Sequence, residues 1–313
     1  SLLEGLPEEE PDGPEYADTD VVRVSILLEK ASTIDAGFST MNIADNQAAM
    51  TYRAGLQREQ ANMTASIEKA LGEKLDVAWN LTLAANLISA NVRYGDMEAI
   101  EAVPGVKEVI LETRYEPAVY ATGEASPNMA TSGQMIGTSA AYAAGYNGAG
   151  MRIAVIDTGT DTDHKSFDAA AFDYALAEDE KISGKTYDLL DAAEIGSVLV
   201  QLNAYKRTLQ NGRPTASTPT AEKLYGTTKL PYNYNYVDGD FDVTHDNDTE
   251  GEHGSHVAGI ATANRYVKTE DGFTSALDAV KVQGVAPDAQ ILVMKVFGVN
   301  GGAYFDDIMA ALE

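Results

Sequence analysis

Residues 152–159 read Arg152-Ile153-Ala154-Val155-Ile156-Asp157-Thr158-Gly159. An apolar run with no polar alternation suits a strand buried on both faces of a parallel sheet. Asp157 ends the run and Thr158-Gly159 turn the chain away. The carboxylate therefore stands beyond the carboxyl end of a strand, where open α/β sheets gather their sites. An aspartate there can equally cap the following turn, so a chemical role requires a partner. Glu252-His253-Gly254-Ser255-His256-Val257-Ala258-Gly259 supplies one. A helix of such small residues can approach a sheet closely, and His253 in its first turn would project toward the strand ends. His256, one turn on, is expected to pack inside. A carboxylate holding one imidazole nitrogen leaves the other to accept a proton from a serine hydroxyl, as nucleophilic acyl transfer near neutral pH requires. Asp157 and His253 are thus the candidate catalytic residues.

Around this pair, α/β alternation starts at Gln134. A helix is expected to about residue 144, then a turn at 145–150, the strand above, and a second buried strand at 291–297. Between them, residues 166–248 form a polar stretch with interleaved Tyr225, Tyr232, Tyr234 and Tyr236. It is too long for an ordinary connection and reads as a surface insertion whose tyrosines anchor it to the body. Upstream, the expected order is a strand from Val21, a helix at 57–71, a hairpin within 78–92, a helix from Asp96 to about Ala102, and a strand at 106–111. That order is ferredoxin-like. The divisions follow: an acidic flexible leader at 1–20, a first domain at 21–115, an exposed connector with a processing site at 116–133, and an α/β domain at 134–313.

The chain has 313 residues with 22 Lys and Arg against 48 Asp and Glu, a formal charge of −26. Such an anion repels phosphate, and no basic cluster offsets the field, so nucleic acid is excluded as a general partner. There is no cysteine, which is compatible with either redox compartment for a chain with a sizeable core. No run of about 18 apolar residues could span a bilayer. The Ser1 start without a basic n-region suggests a trimmed chain from which a signal peptide has been removed.

Ile153-Ala-Val-Ile-Asp-Thr-Gly-Thr-Asp161 and His253-Gly-Ser-His-Val-Ala-Gly259 resemble the first two of three signatures of the subtilisin-like serine proteases, the subtilases, in that family's order of Asp, His, Ser. Gly284-Val-Ala-Pro-Asp-Ala289 leading to Val293-Met-Lys-Val296 is similar to the strand after the family's histidine helix. Residues 230–264 more narrowly resemble the cell-envelope proteases of Gram-positive bacteria, the lactocepin and C5a-peptidase group. Tyr94-Gly-Asp-Met97 and Val103-Pro-Gly-Val-Lys-Glu-Val109 are similar to the subtilase propeptide. The resemblance covers residues from about 21 onward. It implies a three-layer α/β/α subtilisin-like parallel sheet, incomplete in this chain, preceded by a ferredoxin-like α+β propeptide domain. It further implies a secreted or cell-surface bacterial serine endopeptidase made as a zymogen. His253 would be general base and then acid, and Asp157 would orient it. Protein or peptide substrates, the chain's own propeptide and the remainder of the catalytic domain would be its partners.

The family's Gly-Thr-Ser-x-Ala-x-Pro nucleophile segment does not follow His256, so residues 1–313 alone are expected to be inactive, with the serine beyond Glu313. Ser275 lacks the flanking glycines. Gly137-Thr138-Ser139-Ala140-Ala141 copies half of that segment but precedes Asp157 and has Ala143 where the proline belongs. His253 and His256 lack the accompanying ligands of a zinc site. Asp238, Asp240 and Asp242 alternate like calcium ligands, yet Val243 and Thr249 break the EF-hand pattern. Ser166 stands where many subtilases have an acidic calcium ligand. No cofactor or metal ligand is assigned, and a structural calcium stays open. The rival reading is a non-catalytic binding or inhibitory module on a degenerate subtilase scaffold.

Overall fold

The computed structural model describes residues 16–116, 129–205, 219–246, 248 and 251–313. Most of the expected leader and connector lies outside these residues. The chain divides into two units, Ser1–Glu112 and Thr113–Glu313.

In the first unit, β1 (Val21–Leu28), α1 (Gln47–Leu71), β2 (Asp76–Leu81), β3 (Leu87–Arg93), α2 (Met97–Glu101) and β4 (Val106–Leu111) follow in that order. The strands form one four-stranded sheet in the order β2-β3-β1-β4, with each neighbouring pair antiparallel. Val22, Val24, Ile26 and Leu28 alternate along β1 and share one core with Ile88 and Val92 of β3, Val109 of β4, Ile67 of α1 and Ile100 of α2. The apolar side chains alternate as on one face of a strand, and Arg23 and Ser25 between them are buried as well. α1 starts at Gln47 rather than residue 57, because the Asn46 side chain accepts from the N–H groups of Ala48 and Ala49, each at 3.2 Å. The first turns carry little apolar periodicity and were silent in the pattern. Farther along, the buried Gln60 side chain donates to the carbonyls of Leu81 (2.7 Å) and Leu87 (3.2 Å), tying α1 to the β2–β3 hairpin.

The second unit opens with β5 (Arg114–Tyr115), α3 (Met129–Ile136), α4 (Thr138–Ala143) and β6 (Arg152–Asp157). The single helix expected from Gln134 is two helices, interrupted where Gly137 adopts φ 81°, a left-handed conformation that glycine takes without strain. Then come α5 (Ala169–Ser183), α6 (Ala192–Tyr205), α7 (Ala221–Leu224), β7 (Tyr232–Asn235) and α8 (His253–Thr262). The chain continues as β8 (Tyr266–Thr269), β9 (Gly272–Ser275), α9 (Ala276–Ala279), β10 (Gln290–Lys295), β11 (Ala303–Tyr304) and α10 (Phe305–Leu312). β6, β10 and β7 make a three-stranded parallel sheet in that order.

Two sequence expectations are corrected here. β6, expected to be buried on both faces, flanks β10 among the described strands, and within it only Val155 is buried. The stretch 166–248 is not merely a surface insertion, because β7 lies within it and belongs to the sheet. Its Tyr-Asn alternation reads as polar, yet Tyr232, Asn233, Tyr234 and Asn235 are all buried. The Asn233 amide nitrogen donates to the Leu230 carbonyl at 3.1 Å, while the Tyr232 and Tyr236 hydroxyls meet at 3.0 Å. Burial pushes the Tyr232 hydroxyl up to about 12 and that of Tyr236 well above its ordinary range.

α8 lies on this sheet with Ala258 in a core shared with Val155, Phe167, Leu230, Val243, Ile291 and Val293. Behind it the fully buried Lys229 donates to three carbonyls, of Thr262, Pro287 and Ala289, each at 2.8 Å. An ammonium has three donors, and here every one is used. Burial nevertheless lowers this lysine to about 7, with the nearby Asp288 opposing the shift.

Candidate active site

β6 delivers Asp157 at its last residue and α8 delivers His253 at its first. His253 Nδ1 stands 2.6 Å from Asp157 Oδ1 although the two lie 96 positions apart. The same carboxylate oxygen accepts from the Thr158 N–H at 2.7 Å, which fixes its orientation. With Asp157 ionised, Nδ1 carries the proton and donates, and the other ring nitrogen is left in the acceptor form on the opposite edge of the imidazole. The His253 side chain is 31% exposed and that of Asp157 14%, so the ring reaches solvent while the acid is shielded.

Small residues make this approach geometrically available. A Cβ added at Gly254 would lie 2.0 Å from the Gly159 carbonyl oxygen, and one at Gly159 would lie 2.3 Å from that of Val243. Gly254 N–H donates to Thr158 Oγ1 at 3.0 Å, and Asp161 N–H donates to Ser255 Oγ at 2.8 Å. Three consecutive residues of the helix, His253, Gly254 and Ser255, are therefore fastened to Asp157, Thr158 and Asp161. Thr158 and Ser255 were not singled out from sequence; the signal available was a hydroxyl beside each candidate. Four residues beyond Asp157, Asp161 is made a weaker acid chiefly by burial, then by the hydrogen bond and charge of Asp163, with His164 and His245 acting in the opposite direction.

Other singled-out residues are placed elsewhere. His256 is exposed, contrary to the expectation that it packs inside, because the buried positions of α8 are Gly254, Ala258 and Thr262. Ser139 is exposed on α4, and Ser275 ends β9 in a hairpin with β8, separate from the parallel sheet. Asp238 accepts from the Asn235 amide and the Val299 N–H, and Asp240 and Asp242 accept from the N–H groups of Asp242 and Thr244, so these acids organise their own loop. Among the described residues no group of three or more His, Cys, Asp or Glu side chains could hold a metal ion. Ser166 has no side-chain carboxylate, and its carbonyl accepts from the Asn264 N–H at 2.9 Å.

The Subtilase family profile matches residues 148–313, more than half of the chain. The PII-type proteinase of Lacticaseibacillus paracasei is 31% identical over 238 residues, covering 76% of this chain and 10% of that protein. The PI-type proteinase of Lactococcus lactis subsp. cremoris is 29% identical with the same coverage. The minor extracellular protease Vpr of Bacillus subtilis (strain 168) is 24% identical over 246 residues, 77% of this chain and 21% of that one. The chain thus spans a tenth to a fifth of the length of these relatives. Among solved structures, the epidermin leader peptide processing serine protease of Staphylococcus aureus matches with a TM-score of 0.43 and 12% identity, over 93% of this chain and 47% of that chain. Asp157 at the end of the parallel sheet and His253 at the start of α8 fall within the residues matched by the family profile, and the chain belongs to the subtilase family.

Proposed function

We propose that this chain is the N-terminal part of a secreted or cell-surface serine endopeptidase, in which Asp157 and His253 are two members of a triad and a serine beyond Glu313 is the third. The observation that carries this reading is the 2.6 Å contact between His253 Nδ1 and Asp157 Oδ1. His253 takes the proton of the attacking serine and returns it to the leaving amine, while Asp157 holds the ring and stabilises the imidazolium. Hydrolysis then passes through an acyl-enzyme. The names of the relatives as proteinases support peptide-bond hydrolysis, and "extracellular" in the name of Vpr supports the location. No described helix is long and apolar enough to cross a membrane.

Residues 21–115 are proposed as a ferredoxin-like propeptide; the strand order β2-β3-β1-β4 supports this. Processing would occur in the connector 116–133, of which 117–128 lie outside the described residues. Arg114 and Tyr115 pair antiparallel with Tyr304 and Ala303, which supports a tail bound in extended, product-like form. The Arg114 guanidinium donates to the Gly301 carbonyl at 2.6 Å.

The test is reaction of the full-length protein, after propeptide removal, with a serine-directed fluorophosphonate. Labelling is expected there and not in residues 1–313. His253→Ala should suppress it, and Asp157→Asn should lower kcat by about 10⁴-fold. Absence of labelling in the processed full-length protein would defeat the reading.

A further inference from the structure

Lys295 closes β10, in register with Asp157 on β6 and Asn235 on β7. Side chains in one row of a parallel sheet leave on the same face, so the Lys295 stem starts beside Asp157. It then passes along the turn that follows the acid, where a Cβ at Gly159 would stand 3.3 Å from Lys295 Cδ. The ammonium donates to the Thr244 carbonyl at 2.7 Å and forms an ion pair with Asp248, the lysine side chain being 1% exposed and the aspartate 6%. Thr244 and Asp248 belong to the chain that leads into α8 and His253. The same approach is pinned once more by the Thr160 N–H, which donates to the Val243 carbonyl at 2.8 Å.

A buried ion pair is a weak source of stability, because desolvation offsets most of the attraction, and an apolar pair of equal volume often does as well. What the pair supplies is one fixed geometry. We propose that Lys295 and Asp248 are positioning residues for the Asp157–His253 dyad. They lock the approach to α8 onto the strand end beside the acid, so that the imidazole meets the carboxylate. This rests on the catalytic reading of the dyad given above.

Removing one partner leaves an uncompensated buried charge, so the decisive variant removes both: Lys295→Met with Asp248→Leu. The measurement is the downfield Nδ1 proton resonance of His253 in its hydrogen bond to Asp157, recorded on residues 1–313, assigned by its loss in His253→Gln, and paired with a thermal melt. The double variant is expected to melt cooperatively near the wild-type temperature and to lose the resonance. Lys295→Arg, which keeps charge and donors, retains it. In the full-length protein the double variant should lower kcat about 100-fold with KM within about twofold. A folded double variant with the wild-type resonance overturns the proposal. Should the double variant not melt cooperatively, Lys295→Met with Asp248→Asn, which also removes both charges, decides in the same way: in a cooperatively melting protein a retained resonance overturns the proposal and a lost one upholds it. A wild-type chain without the resonance removes the dyad itself, and an unchanged resonance in the folded double variant removes only the positioning role.

Discussion

β1 places Val22, Val24, Ile26 and Leu28 in an aliphatic core, whereas β10 buries Ile291 and Val293 between two polar ends, Gln290 and Lys295. The Gln290 amide donates to the Thr228 and Leu190 carbonyls at 2.8 and 3.1 Å, and Lys295 is held by Thr244 and Asp248. Aliphatic contacts are non-directional and accept shape-conserving exchange. Ammonium-to-carbonyl contacts and close backbone approaches fix both distance and angle, and they leave unpaired groups when broken. The dyad is therefore built where the fold is least forgiving, and the antiparallel unit is the more tolerant of the two.

Substitutions can break this contrast, starting with the largest effect. Gly254→Ala places a methyl against the Gly159 carbonyl and is expected to cost more than about 4 kcal/mol, with loss of the His253 resonance, read by melting and proton NMR. Lys229→Met strands three carbonyls and should cost about 4 kcal/mol in a urea titration. In the first unit, Ile26→Ala should cost about 3 kcal/mol, and Ile26→Val much less, read by hydrogen exchange of the β1–β3 amides. Equal sensitivity of the two units to shape-conserving exchange would erase the distinction.

The pH dependence sharpens it. Asp288 is pushed up to about 6, first by burial, with Arg265 (Nε to Oδ1, 3.0 Å) and Lys229 opposing. A carboxyl with a raised folded-state value favours folding while protonated. Its contribution is full below about pH 4 and is lost as pH rises to about 6, a change of roughly 2 to 3 kcal/mol. Asp288→Asn should flatten that slope relative to the wild type in melts across this window; parallel curves would contradict it. The smallest effect is expected from Asn46→Ala, about 1 kcal/mol through loss of the α1 cap.

Legibility in the sequence followed the same division. Alternation and turn residues outlined the first unit closely enough that residues 106–111 are a strand in both readings. The Asp157 and His253 segments were readable because small residues and a strand-end acid form a local pattern. β7 was not, because its tyrosines and asparagines are polar in pattern and are buried by pairing with β10, some 60 positions on, which no local pattern announces. Nothing local marked Lys229 or Lys295 as buried, because their acceptors lie 33 or more and 47 or more positions away. Long-range satisfaction of a polar group leaves no trace in local periodicity.

The stitching of the Asp157 turn to the start of α8 has a topological corollary. It closes a ring of 96 residues whose two ends no longer separate when the intervening chain changes length. For a ring already this long, doubling the excursion adds only about 0.6 kcal/mol of closure entropy. Segments between β6 and α8 can thus grow or shrink to reshape the molecular surface while the acid and the imidazole keep their handshake.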